Sequence, residues 1–241
     1  MTHYLAENIL RNKGDTEALI AIDESGNRRS LSWDELTKRV SKIAHALTSS
    51  GVVAGDRVVT WLPNSLEAVE IMLATASIGA VYSSTSPDFG SKGVLDRFSQ
   101  IEPKVLFAID GYQYNGKYFD CLQRLVEIKA GLPSLVKTII VKNTVRPTTT
   151  TTNHSTVVPD AVDYDSFIES SLSPSSFNYP TFSFNHPWYI TLNYFSTIHH
   201  KYYTYVFNRF FLVDSPRIGM FCTPQAPLES RNASSTGQAV C

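Results

Sequence analysis

The stretch Gly55–Phe107, GDRVVTWLPNSLEAVEIMLATASIGAVYSSTSPDFGSKGVLDRFSQIEPKVLF, decides the fold. It contains three short apolar runs that predict buried strands. These runs are Arg57–Leu62, Ala80–Tyr82 and Lys104–Ile109. Between them, two segments carry apolar residues at helical spacing and end at Gly79 and Pro103. The alternation of strand and helix predicts an α/β fold, part of a doubly wound parallel sheet with flanking helices.

Two helix starts are predicted from the spacing of polar residues. Ser32 lies three residues before Glu35, which is typical of a capping box. Asn64 lies three residues before Glu67, so we expect Asn64 to cap the helix that follows the first strand. In the helix after Ser32, Arg39 lies opposite the apolar face and is predicted to belong to a solvated surface. Upstream of Ser32, two short β-rich runs joined by a polar turn predict a hairpin.

Hydroxyl groups cluster where the second predicted strand ends. Ligands of open α/β sheets bind outside the carboxyl ends of the strands, so Ser84, Thr85 and Ser86 are candidates for a loop that lines a substrate cleft. The same hydroxyl groups are suited to capping the next helix or satisfying turn amides, and the two interpretations are compatible. Asp88 is interpreted as a turn or cap residue rather than as a catalytic acid.

This region carries a family resemblance. The signature SSTSPDFG at positions 83–90, followed by GVLDRFSQI at positions 93–101, resembles the corresponding block of acetoacetyl-CoA synthetases. These enzymes belong to the adenylate-forming superfamily, and the resemblance extends from Tyr4 to Ile190. It implies an enzyme that activates acetoacetate with ATP and Mg²⁺ as an acyl-adenylate and then transfers the acyl group to coenzyme A. It also implies a cytoplasmic protein of ketone-body and lipid metabolism.

A second candidate site follows the third predicted strand. Related acyl-CoA synthetases have a basic, glycine-containing loop here that approaches the nucleotide of coenzyme A, and Asn115, Gly116 and Lys117 match part of it by position. A lysine on a glycine turn binds phosphate through its charge and the backbone amides. The alternative is an ordinary surface turn, followed by a helix that begins near Phe119 and ends before Gly131.

The family pattern stops after Ile190. In the superfamily, this strand leads into a loop of serine, threonine and glycine that holds the phosphates of ATP. Here the chain has no glycine between Gly131 and Gly219, and glycine is the residue that most readily adopts the backbone such a loop requires. We therefore expect a partial synthetase domain over residues 1–190, a poorly ordered tail over 191–241, and no catalysis by this chain alone. The threonine-rich segment 143–159 is predicted to be a flexible loop.

Composition excludes several other classes of function. The formal net charge of −1 gives no basic footprint for nucleic acid, and no apolar run is long enough to span a membrane. The three cysteines lack metal-ligand spacing, and no metal site or catalytic residue is predicted. A nicotinamide-dependent enzyme is disfavoured because no glycine-rich dinucleotide motif follows a strand. A non-catalytic module that binds coenzyme A or a partner protein remains open, and uncovered apolar sheet surface is expected to promote self-association.

Overall fold

The computed structural model describes residues 2–3, 5–143, 154–169, 179–183, 185–193, 203–207 and 218–219. Its helices are α1 Leu5–Ile9, α2 Trp33–Ser49, α3 Leu66–Ser77, α4 Ser91–Phe98, α5 Leu122–Ala130, α6 His154–Val157 and α7 Tyr164–Glu169. Its first seven strands are β1 Thr2–His3, β2 Glu17–Ile22, β3 Arg28–Ser32, β4 Arg57–Trp61, β5 Val81–Thr85, β6 Val105–Ile109 and β7 Gly111–Tyr114. The others are β8 Lys117–Asp120, β9 Lys137–Val141, β10 Ala161–Asp163, β11 Phe182–Ser183, β12 Tyr189–Asn193, β13 Tyr203–Phe207 and β14 Ile218–Gly219.

The central sheet confirms the predicted α/β fold. Its strand order is β10-β9-β6-β4-β5-β12-β13, and all neighbouring pairs from β10 to β12 are parallel. The strand at the other edge, β13, pairs with β12 in antiparallel orientation. The three strands predicted from the first apolar runs are β4, β5 and β6. Because β4, β5 and β6 run parallel to one another, their carboxyl ends lie at the same edge of the sheet.

The core lies where the central strands are covered on both faces. All five residues of β6 are buried, and the largest fully buried side chains include Trp61, Phe98 and Phe107. Helices α4 and α5 pack together, and α2 packs against α3 and α7. Strands buried on both faces need apolar residues at consecutive positions, which is why the runs in β4, β6 and β9 do not alternate with polar residues.

The two predicted helix caps had different outcomes. The capping box before α2 is confirmed, because the Glu35 amide donates to Ser32 Oγ at 3.2 Å and the Ser32 amide donates to Glu35 Oε2 at 2.8 Å. The cap predicted at Asn64 is wrong, because Ser65 caps α3 and accepts from the Ala68 amide at 3.3 Å. With the cap one residue later, Glu67 no longer lies at the third helical position and cannot complete a capping box.

Arg39 is another correction, since it does not lie on a solvated face. Its Nε donates to Glu70 Oε1 at 2.8 Å, and the side chain of Glu70 is 1% exposed. The Tyr164 hydroxyl donates to the other oxygen of Glu70 at 2.6 Å. Burial raises the pKa of the Glu70 carboxyl group, and the hydrogen bond and charge of Arg39 offset part of that rise. This network joins α2, α3 and α7.

The predicted loop and the predicted domain boundary are covered only in part. Within the loop over 143–159, residues 144–153 lie outside the described structure, but His154 in α6 and Val158 are buried, so these two residues of the segment pack against the core. Strand β12 crosses the boundary predicted after Ile190. Beyond residue 193, only the backbone of β13 and β14 is described, so the proposed tail otherwise lies outside the described residues.

Two hairpins lie outside the central sheet. Strands β2 and β3 form the hairpin predicted before Ser32, and β7 and β8 form a second, antiparallel hairpin after β6. None of the described helices combines the length and the hydropathy needed to cross a membrane.

Candidate functional site

The predicted hydroxyl cluster lies at the carboxyl end of β5. Ser84 and Thr85 belong to the strand itself, and Ser86 is the first residue beyond it. The exposed Ser84 Oγ lies 2.9 Å from the Tyr189 hydroxyl on the neighbouring strand β12. Thr85 is buried, and its hydroxyl has no hydrogen-bond partner within the described part of the chain. Ser86 Oγ donates to Asp88 Oδ2 at 2.9 Å and accepts from the Asp88 amide at 3.4 Å.

These contacts test the prediction that the hydroxyl groups cap the next helix or satisfy turn amides. Capping of the next helix is wrong, because α4 begins after Gly90 without any side-chain cap. Ser86 and Asp88 instead satisfy each other in the turn. Whether Ser84, Thr85 and Ser86 line a substrate cleft stays a prediction.

The second candidate group lies at the tip of the hairpin β7–β8. Tyr114 pairs with Lys117, which leaves Asn115 and Gly116 as a two-residue turn. Their φ angles of 50° and 70° are both left-handed, as a type I′ turn requires, and Asn-Gly is the preferred sequence for that turn. The helix predicted from Phe119 is therefore wrong at its start. Phe119 belongs to β8, and α5 begins only at Leu122.

The turn at Asn115 and Gly116 binds a carboxylate of the same chain. The Asn115 amide donates to Glu24 Oε1 at 2.6 Å, and the Gly116 amide donates to Glu24 Oε2 at 3.1 Å. Asn115, Gly116 and the first residue of β8, Lys117, are all exposed, and among the described residues Lys117 forms no ion pair. We call Asn115 and Gly116 the anion-binding turn.

Arg124 connects this hairpin with the turn after β5. Its guanidinium group donates to the Pro87 carbonyl at 3.3 Å and to the Asp120 carbonyl at 3.4 Å. The same group lies 5.6 Å from the centre of the Trp61 ring, at the carboxyl end of β4. Burial, followed by the charge of Asp88 in that turn, raises the pKa of the Tyr112 hydroxyl on β7. The base of the hairpin and the turn after β5 therefore lie at the same edge of the sheet.

A buried histidine lies farther along this edge. His154 Nδ1 is 2.7 Å from Asp163 Oδ1, and its Nε2 is 3.3 Å from Asp110 Oδ2. Asp110 also accepts from the Asn143 amide at 2.7 Å, and Asp163 pairs with Lys142 at 3.0 Å. The hydrogen bond to Asp110, and then that to Asp163, raise the pKa of the His154 imidazole despite its burial. This cluster fixes α6 to the ends of β6, β9 and β10.

The described residues contain neither a reactive cysteine nor a candidate metal site. Burial raises the pKa of the Cys121 thiol to about 12, so Cys121 is an unreactive core residue. Cys222 and Cys241 lie outside the described residues. Within those residues, no group of three or more histidine, cysteine, aspartate or glutamate side chains is arranged to hold a metal ion.

Sequence reasoning missed three residues of this region: Glu24, Arg124 and His154. Glu24 reaches Asn115 across 91 positions of the chain, a contact that no local pattern encodes. Arg124 lies on a helix whose start was predicted too early. His154 was assigned to a low-complexity loop, although a histidine beside apolar Val157 and Val158 at the end of a threonine run was a signal for renewed packing.

Comparisons with known proteins fit this geometry. The family model described as AMP-binding enzyme matches residues 5–182. The acetoacetyl-CoA synthetase of Macaca fascicularis is 39% identical over 191 residues, which is 77% of this chain and 28% of that protein. The acetoacetyl-coenzyme A synthetase of Rhizobium meliloti (strain 1021) is 49% identical over 133 residues, covering 54% of this chain and 20% of that protein.

A comparison with solved structures also finds an acetoacetyl-CoA synthetase. The acetoacetyl-CoA synthetase from Streptomyces lividans superposes with a TM-score of 0.69 at 35% identity, covering 79% of this chain and 28% of that chain. The chain thus matches between 20% and 28% of the length of these relatives. Since the family model covers most of the described structure, the chain belongs to the AMP-binding enzyme family.

Proposed function

We propose that this chain carries the N-terminal part of an acetoacetate–CoA ligase. In the complete reaction, acetoacetate attacks the α-phosphate of ATP to give acetoacetyl-adenylate and pyrophosphate. The thiol of coenzyme A then displaces AMP and forms the thioester. Mg²⁺ offsets the charge of the triphosphate. The acetoacetyl-CoA synthetases that resemble this chain support the choice of acid, and the compartment proposed for the reaction is the cytoplasm.

The anion-binding turn is the observation that carries the proposal for coenzyme A. Two successive amides already bind a carboxylate there, and the exposed Lys117 follows directly. A phosphate group offers oxygens for both amides and a charge for the lysine. We propose that Asn115, Gly116 and Lys117 contact a phosphate of the coenzyme A nucleotide. Ser84, Thr85 and Ser86 are proposed to line the cleft on the same edge.

We further propose that these 241 residues do not form the acyl-adenylate by themselves. Transfer of the adenylyl group from ATP to the carboxylate, with release of pyrophosphate, requires groups that stabilise the charge developing on the phosphates. In the superfamily a glycine-rich loop supplies them after the strand that corresponds to β12. Here residues 132–218 contain no glycine, so we expect no productive site for ATP or Mg²⁺ in this part of the chain.

The second candidate is a non-catalytic module that binds coenzyme A. It is favoured by the same turn, whose amides bind an anion without any contribution from a phosphate loop. Binding of a protein partner or self-association has less support. The exposed large apolar residues of the described structure are Ile22, Val53, Phe119 and Val136, which lie on separate elements or loops.

Two assays separate these proposals. Isothermal titration of the purified chain with coenzyme A tests the binding proposal, with Lys117→Ala expected to weaken binding about fivefold and Lys38→Ala, on the exposed face of α2, as the control. Acetoacetate-dependent exchange of pyrophosphate into ATP tests the proposed inactivity. Exchange above background would overturn that inactivity. Absence of any coenzyme A binding would overturn the role of the turn.

A further inference from the structure

The anion-binding turn is occupied by a side chain from the other hairpin. Glu24 lies between β2 and β3, in a turn that Asp23 fixes by accepting from the amides of Ser25 and Asn27, each at 2.9 Å. The Asn27 side-chain amide also donates to Asp23 at 2.9 Å. Because these bonds hold the turn, the Glu24 carboxylate is presented to Asn115 and Gly116 in a defined position.

The carboxylate is held only weakly. Both Glu24 and the two amides are exposed, and Glu24 pairs with no cation among the described residues. Hydrogen bonds between exposed groups exchange readily with water, so an anion of higher charge can replace Glu24. A phosphate monoester carries up to two negative charges and would also gain Lys117.

We propose that Glu24 is an internal competitor for the anion-binding turn, so that the hairpin β2–β3 must release the turn before a phosphate group binds. The ligand class is a phosphate monoester or diphosphate. This inference rests on the proposed binding of coenzyme A, but it adds a regulatory contact that lowers the affinity of the free chain. It also joins two hairpins that are separated by the whole of β4, β5 and β6 in the sequence.

The first test measures the contact itself. In amide NMR spectra of the full chain, Glu24→Gln and Glu24→Ala are expected to shift the amide proton signals of Asn115 and Gly116, because each loses its charged acceptor. Asp15→Asn is the matched control, since it removes one exposed acidic charge for which the described structure shows no hydrogen bond or ion pair. Unchanged Asn115 and Gly116 signals in both Glu24 variants would overturn the inference.

The second test measures competition, with inorganic pyrophosphate as the probe. Glu24→Ala is expected to bind pyrophosphate about fivefold more tightly than the unsubstituted chain, with signal changes at Asn115 and Gly116, while Asp15→Asn stays within about twofold of it. Equal affinity in Glu24→Ala and the unsubstituted chain would overturn the competition. If pyrophosphate competes but coenzyme A binds none of the variants, the inference stands and the proposed function fails.

Discussion

Two glutamates of this chain accept two hydrogen bonds each, and their surroundings differ completely. Glu70 lies on α3, where its side chain is 1% exposed and binds Arg39 on α2 and the Tyr164 hydroxyl on α7. Glu24 lies on the surface and, among the described residues, binds only the amides of Asn115 and Gly116. The first carboxylate cannot exchange its partners for water without unfolding the helices around it, whereas the second can.

The comparison shows that burial, rather than the number of hydrogen bonds, separates a structural carboxylate from an exchangeable one. A buried charge without its partner carries an uncompensated desolvation cost. An exposed charge without its partner is solvated, and the amides that it leaves are free to bind another anion. The two sites therefore predict opposite outcomes, namely large changes in stability at Glu70 and large changes in ligand affinity at Glu24.

The largest change in stability is expected from Arg39→Met. This substitution leaves the Glu70 carboxyl group buried without its cation, which should lower the free energy of unfolding by about 3 kcal/mol. Urea denaturation of the full chain measures it, with Lys38→Met on the exposed face of α2 as the control. The double variant Arg39→Met, Glu70→Met should lose less than the single variant, because it leaves no buried charge unpaired. A loss below about 0.5 kcal/mol in the single variant would contradict a structural role.

The buried histidine His154 provides a second structural site, and its contribution to stability should depend on pH. The carboxylates of Asp110 and Asp163 raise the pKa of His154, and Lys142 pairs with Asp163 on its other side. A raised folded-state pKa means that the added stability is fully present below the ordinary histidine pKa of about 6.5 and is lost as the pH rises through the folded value.

His154→Gln should therefore lower stability most at acidic pH, by about 1.5 kcal/mol, and progressively less as the pH rises through that raised pKa. Denaturant midpoints measured at a series of pH values would show this convergence. The control is His45→Gln, because His45 is a half-buried histidine of α2. A difference that grows with rising pH would contradict a raised pKa for His154 in the folded chain.

A smaller loss is expected from Gly116→Ala. A new Cβ would meet no atom within 4 Å, so the cost comes only from the left-handed backbone at φ 70° and should be about 1 kcal/mol. Gly93→Ala within α4 provides a matched control and should leave stability equal or higher, because alanine favours helix. If the two substitutions had equal effects on the thermal midpoint, the type I′ turn would be in doubt.

The smallest change in stability is expected from Glu24→Ala. Loss of two exposed hydrogen bonds should change the free energy of unfolding by less than about 0.5 kcal/mol, although the affinity for pyrophosphate increases. Thermal unfolding and the binding titration should be run on the same preparation. A destabilisation as large as that of Arg39→Met would mean that Glu24 is a structural residue like Glu70.

Much of the fold was predictable because its signals are local. Strands buried on both faces require consecutive apolar residues, so β4 and β6 are readable from the sequence. Gly79, with φ 70°, follows the end of α3, where the sequence predicted that the helix would stop. The cap of α3 was misplaced because Asn64 and Ser65 are both good caps, and only the backbone geometry chooses between them.

The site was less predictable because its contacts are distant in sequence. Asn115 and Gly116 were identified by position, but their partner Glu24 lies on a hairpin far away in the sequence. The position of the turn that contains Ser86 depends on how the strands are ordered in the sheet. Arg39 was misjudged for the same reason, since a helix that packs on two neighbours buries more than its apolar face. Amphipathic patterns describe one buried face, not a second interface made of charged residues.

The most direct test of the central claim is a titration of the isotope-labelled chain with coenzyme A and with dephospho-coenzyme A, which lacks the terminal phosphate monoester. The exposed turn is expected to bind that phosphate, so the amide signals of Asn115 and Gly116 should move with coenzyme A and much less with the dephospho form. Lys117→Ala should reduce the change. Signals that stay fixed at both residues while coenzyme A binds elsewhere on the chain would contradict the claim.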